Sequence, residues 1–189
     1  MFYRPADGHG LPHSPFSAIV APRPIGWIST RSGSGDNLAP YSFFNAVGYT
    51  PPQVMFAGDF RDSMANAMES GVFAVNIVAA EALQAMNATS ARLPRGTDEF
   101  HAAGVPKGEC TAIDCPRVAD APATLECRVV KLVDLLGPER MVLGEVVGVH
   151  IRDDCLVDGR LDYTRYAPAA RLGYQDYTFV REVVALRRP

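Results

Sequence analysis

Apolar positions along the chain come in short bursts cut by glycine and proline. The clearest burst is 72–78, VFAVNIV, a near-continuous apolar run of the length of one buried strand. Residues 16–21 read as a first strand. Pro22 and Pro24 interrupt it, and 25–30 reads as a second strand. The segment RSGSGD at 31–36 is turn chemistry, because Gly33 and Gly35 reach positive φ at little cost, so a hairpin is expected there. An extended stretch at 37–45 alternates polar groups with aromatics, and Pro51-Pro52 leads into a strand at 53–57. Residues 63–70 are predicted as a helix: Asp62 or Ser63 suits its N-cap, Met64 and Met68 share a face, and Gly71 suits its C-cap. A second helix is expected at 80–88. Residues 93–118 read mostly as loop with a helical patch around 99–103. Two long strands, 123–135 and 141–152, flank Gly137-Pro138 and predict an antiparallel hairpin. Val157-Asp158-Gly159-Arg160 is another turn, and the last strand is expected at 177–186.

This makes six to eight strands and two or three short helices, without the regular strand–helix alternation of a doubly wound parallel sheet. A closed antiparallel barrel with peripheral helices fits better. Residues 1–15, with three prolines and two glycines, read as an N-terminal arm, and 16–189 as one domain. The 15 Pro and 16 Gly in a chain of 189 residues agree with many short elements. With 18 Lys+Arg against 21 Asp+Glu, the net charge of −3 argues against a nucleic-acid partner. No apolar run reaches the roughly 18 residues that span a bilayer, so no membrane association is expected. The first twelve residues carry no apolar signal core, which predicts a cytoplasmic protein. Its four cysteines are then expected to stay reduced, and neither they nor the scattered histidines show zinc-ligand spacing, so no metal is expected.

The search for side-chain catalysis is negative. There is no Gly-x-Ser-x-Gly elbow, no Gly-x-Gly-x-x-Gly and no P-loop. Asp153-Asp154 reads as a solvated strand end. No catalytic side chain is assigned, which points to a cofactor that carries the chemistry. Arg61-Asp62-Ser63-x-x-Asn66 puts a cation and a hydroxyl at a helix start, a place that holds anions such as phosphate, although a plain capped helix has the same pattern. Residues 37–46, NLAPYSFFNA, supply the mixture of apolar wall and polar edge that a planar cofactor needs, and equally the aromatics of a core strand. Trp27, the only tryptophan, reads by itself as a core or interface residue.

Taken in order, these segments resemble the flavin reductase-like family, the FMN-binding split-barrel group that includes nitrilotriacetate monooxygenase component B and flavoredoxin. The resemblance runs through APRPIGWIST (21–30), NLAPYSFFNA with Pro51-Pro52, Arg61-Asp62-Ser63-x-x-Asn66 and FAVNI (73–77). It continues through Asp98-Glu99-Phe100, Leu125-Glu126-Cys127 and Arg171-Leu172-Gly173-x-x-x-Tyr177, so it covers residues 16–180. Two departures stand out. Ser63 replaces the commoner Thr and keeps the hydroxyl, whereas Tyr174 stands where a second glycine is frequent and would narrow the pocket.

The resemblance implies a mainly β, Greek-key split β-barrel with a few peripheral short helices. It also implies a homodimer with FMN near the subunit interface. On this chain, Arg61, Asp62, Ser63 and Asn66 would serve the FMN phosphate. Ser42, Phe43, Phe44 and Asn45 would line the ribityl chain and ring edge, and Trp27, Asn37 and Ala39 would border the isoalloxazine. Arg171 would reach the site, from the partner subunit in one arrangement. NADH or NADPH would pass a hydride from nicotinamide C4 to flavin N5, and no side-chain base is required for that step. Reduced flavin or its electrons would go to a monooxygenase or another acceptor. Two other functions remain open on the sequence: a non-enzymatic FMN electron carrier, or a barrel that binds haem, with His150 as ligand, or another planar molecule.

Overall fold

A computed structural model describes residues 1–187. Seven strands form one antiparallel sheet: β1 (Gly26–Ser32), β2 (Gly35–Tyr41), β3 (Phe43–Tyr49), β4 (Pro52–Asp59), β5 (Val72–Ile77), β6 (Ala123–Asp134) and β7 (Glu139–Ile151), in the order β2-β1-β5-β6-β7-β4-β3. The two edge strands, β2 and β3, are consecutive in the chain and separated only by Ser42. The sheet rolls until these edges approach. Tyr41 of β2 then meets Phe56 of β4 edge-on at 4.8 Å between ring centroids, which is the favoured geometry for two π-systems. The architecture is the expected mainly β split barrel.

The rolled sheet makes two cores. Ile28, Phe44, Phe56, Phe73, Val75 and Val142 fill the barrel interior, sealed by Met64 and Ala67 of a helix, α2 (Asp62–Ser70). Ile25, Trp27, Leu38, Met86 and Phe100 fill a second core outside the barrel, under α3 (Leu83–Ala88) and α4 (Glu99–Ala102). Strand β1 therefore sends Ile28 one way and Trp27 the other, and five of its seven residues are buried. Two glycines permit this packing by leaving room for aromatic rings. A Cβ at Gly26 would lie 2.8 Å from the Phe44 ring, and one at Gly144 would lie 2.4 Å from Phe73 Cζ.

Most predicted elements appear near their expected places. The β1–β2 hairpin forms, although only Gly35 of its glycines takes positive φ (+118°). Strands β6 and β7 pair antiparallel as expected. Helix α2 ends at Gly71, whose φ of +75° lets its N–H reach Ala67 O at 2.9 Å. Three expectations need correction. The first, residues 16–21, is not a strand but begins with the helical turn α1 (Phe16–Ile19). Arg23 donates to the carbonyls of Ser17 and Val20, and Gly173 packs on Ala18, so the segment coils round a guanidinium instead of extending. The second is the last strand, which spans only Tyr177–Phe179, because the strand it pairs with, Ala169–Arg171, is three residues long and leaves no further ladder. Within 93–118, thirdly, the pair Lys107–Glu109 and Pro116–Val118 adds a small ladder to the expected loop. Residues 80–88 begin as a 3-10 turn, Ala80–Ala82, before α3. No helix among the described residues is long and apolar enough to cross a membrane.

Candidate functional site

Two adjoining cavities open beside the seam of the barrel. The first, about 530 Å³, lies between the end of β2, the end of β4, the start of α2 and the loop 89–95. The second, about 780 Å³, lies between β2–β3, α3 and the turn after Arg171. Pro40 and Ser90 line both, so the two are continuous.

The first cavity is built round the N-terminus of α2. Residue 61 stands at the N-cap position and no side chain caps the helix. This differs from the expected capping by Asp62 or Ser63: both lie inside the first turn, and the Ser63 hydroxyl donates instead to Asn37 Oδ1 at 2.7 Å. The N–H groups of a helix's first turn have no intrahelical acceptors, so an uncapped turn of nine-residue α2 offers them to an anion. Asn37 is held in turn. Its amide donates to Glu99 Oε2 at 2.9 Å, and the same oxygen accepts from Leu38 N at 3.0 Å. Glu99, only 6 % exposed, thus ties α4 to β2, and β2 to α2. Burial pushes the Glu99 carboxyl above its ordinary pKa, and burial does the same to the Tyr41 phenol beside Ser63.

Three arginines line this cavity. Arg61 is paired with Asp59 at 3.0 Å, and Arg95 with Asp62 at 3.1 Å. Arg92 has no hydrogen-bond or ion-pair partner among the described residues, so its charge is free to meet an anion in the same space as the α2 terminus. The second cavity has a more aromatic wall, with Phe43, Tyr174 and Tyr177 alongside Ser42 and Arg171. Tyr174 sits at φ +58°, a left-handed conformation that a bulky residue adopts at a cost, and lines the cavity as its place in the sequence suggested.

The structure gathers most of the sequence candidates. Asn37, Ala39, Arg61, Asp62 and Ser63 line the first cavity, and Ser42, Phe43 and Arg171 the second. Four candidates do not line either one. Trp27 is 1 % exposed in the outer core, where its Nε1 donates to Thr89 Oγ1 at 2.9 Å and so fixes a residue that does line the first cavity. Asn66 lies on the buried face of α2, with its amide donating to Thr30 Oγ1 at 3.3 Å and its oxygen accepting from Arg95 at 3.2 Å. Phe44 points into the barrel. Asn45 is exposed on β3, and its side-chain oxygen accepts from Ala46 N. The sequence reading did not single out Arg23, Ser90, Arg92 and Arg95 as site residues. Two cations within ARLPRG, in a loop between helices, were the available signal. His150 lies away from both cavities and is engaged by Glu126, which also accepts from Thr111 N at 2.7 Å and Ala112 N at 2.6 Å.

The sequence model of the flavin reductase like domain matches residues 19–170. A curated, uncharacterised protein of Deinococcus radiodurans is 39% identical over 188 residues, covering 91% of this chain and 82% of its own. Among solved structures, 2-nitrobenzoate 2-nitroreductase of Pseudomonas fluorescens superposes with a TM-score of 0.85 at 32% identity, covering 92% of this chain and 88% of that one. Nitrilotriacetate monooxygenase component B of Bacillus cereus gives a TM-score of 0.86 at 28% identity, covering 90% of each chain.

Proposed function

This chain belongs to the flavin reductase-like family, and from that premise we propose that it is an FMN-binding oxidoreductase that takes a hydride from NADH or NADPH and supplies reduced flavin or electrons to a partner. The observation that carries this reading is the pairing of an uncapped helix terminus and an unpaired Arg92 in one cavity with a continuous aromatic cavity next to it. A phosphate needs the first and a planar ring needs the second, so the residues present fit FMN.

In this reading Arg61, Arg92 and the backbone N–H groups of the first turn of α2, that of Ser63 among them, hold the phosphate. Asn37 and Glu99 fix the position of Ser63, and so the angle at which the helix meets its ligand. Ala39, Pro40 and Ser42 run from the phosphate end toward the ring end, and Phe43 walls the ring. When bound, FMN supplies the two-electron chemistry. The protein holds the nicotinamide against it at a reactive distance, a role worth several kcal/mol of the barrier without any side-chain base.

A homodimer with the flavin near its seam is part of the proposal. Edge strand β3 exposes Phe43, Val47 and Tyr49, and Val130 of β6 and Val149 of β7 are exposed as well, more apolar surface than one sheet edge leaves open to water without a partner. Phe43 stands both on that edge and in the second cavity, which supports a seam that borders the site. The names of the two solved relatives, a nitroreductase and a monooxygenase component, favour an electron acceptor that is a second molecule or a second protein.

The test is a titration of purified protein with FMN, followed by NADH or NADPH while the nicotinamide absorbance is recorded. Oxidation of one donor that depends on FMN is expected. Bound flavin with no oxidation of either donor would leave an electron carrier instead, and no flavin binding at all would overturn the reading.

A further inference from the structure

Arg23 and Arg171 are partners on neighbouring antiparallel strands, directly opposite in register, and both line the second cavity. No Asp or Glu lines that cavity, and neither arginine has an ion pair among the described residues. The first cavity differs, since Asp59 and Asp62 answer two of its three arginines.

Arg23 is 8 % exposed. Its terminal nitrogens donate to the carbonyls of Ser17, Val20 and Leu172, the last at 2.8 Å, while its Nε is buried without a partner. Arg171 is fixed too: it lies 4.5 Å above the Tyr177 ring centroid and donates to the Tyr177 hydroxyl and the Tyr174 carbonyl. Two like charges held side by side, one of them desolvated, are costly unless an anion completes the arrangement. Burial, and then the charge of Arg171, lower the Arg23 pKa, as expected for a cation pair without a carboxylate.

We infer that Arg23 and Arg171 form an oxyanion subsite in the second cavity, which holds the carboxylate of a planar aromatic electron acceptor while its ring meets the flavin. The inference rests on the flavin reading above. Phe43, Tyr174 and Tyr177 give flat apolar walls for the ring, and the join at Pro40 and Ser90 opens the cavity toward the space assigned to FMN. Arg171 is the residue that sets specificity, because its rigid fork suits a carboxylate in two-point contact. The diphosphate of a dinucleotide donor is the other oxyanion that could fill this place.

The experiment is calorimetric titration of the full chain, with and without FMN, using 2-naphthoate, the neutral 2-naphthamide, and ADP-ribose. The acid is expected to bind at least tenfold more tightly than the amide. Arg171→Gln should abolish that preference, Arg171→Lys should restore part of it, and the FMN affinity of both variants should stay within about twofold of the parent, where charge-assisted contacts are lost only to the acid. Equal binding of acid and amide by the unsubstituted chain overturns the subsite, and that comparison needs no variant to fold. If Arg171→Gln weakens ADP-ribose and spares the acid, the subsite belongs to the donor and the inference fails. If FMN does not bind at all, the flavin reading fails, yet the acid–amide difference in the flavin-free protein still decides whether the subsite exists.

Discussion

The Ser63 hydroxyl donates to Asn37 Oδ1 at 2.7 Å, and that single bond links the first turn of α2 to the middle of β2. Both residues are buried, and both line the first cavity. The terminus is uncapped because its N-cap residue, Arg61, has no acceptor oxygen, while the Ser63 bond positions the first turn. Strand β2, α2 and α4 are tied together in this way through Asn37 and Glu99.

Ser63→Ala strands the buried Asn37 oxygen without its donor. The loss is expected to cost about 1–3 kcal/mol, the penalty of an unsatisfied buried polar group. Urea unfolding measures it, and FMN titration of the same variant should show weaker binding. Unchanged stability would mean that the bond does not hold the helix.

Arg61→Ala and Arg92→Ala should each weaken FMN affinity tenfold or more, because a hydrogen bond to a charged phosphate is worth about 1.5–3 kcal/mol. The Arg92 effect should appear without any stability loss, since Arg92 has no partner to lose. Fluorescence quenching of the flavin reads both. If neither variant moves the affinity, the phosphate lies elsewhere.

Gly26→Ala is expected to destabilise the barrel by about 1–3 kcal/mol through overpacking, because the new Cβ meets the Phe44 ring at 2.8 Å. Gly144→Ala should act similarly, against Phe73 Cζ at 2.4 Å. Thermal unfolding is the measurement, and neutral substitutions would show that these aromatics have room to move.

The raised pKa of Glu99 gives a pH dependence of definite sign. A carboxyl whose folded pKa exceeds its unfolded value contributes stability in acid that is lost as pH rises through the folded pKa. Glu99→Gln keeps an acceptor oxygen for Asn37 and Leu38 and removes the titration. The stability of the Gln variant relative to the parent should therefore grow as pH rises past the ordinary carboxylate range. A relative stability that does not change with pH, in parallel denaturant series, would refute the assignment.

What the sequence determined by itself was local. The turn at 31–36, the β6–β7 hairpin and the buried run of β5 could be read because a strand's hydrophobic pattern and its turn residues sit within a few positions of one another. Helix α2 and its stop at Gly71 could be read for the same reason, and the ordered blocks that identified the family lay in plain view. Tertiary structure decided the rest. Trp27 read by itself as a core or interface residue and does enter the outer core, but only the fold shows that it reaches the site through Thr89. Residues 16–21 had the apolar content of a strand and became a helical turn because a guanidinium from Arg23 needed their carbonyls. Arg92 joined the start of α2, and Arg171 came to stand opposite Arg23, through closure of the chain around the barrel. Such meetings depend on packing between elements far apart in sequence, and no pattern local to either partner encodes them.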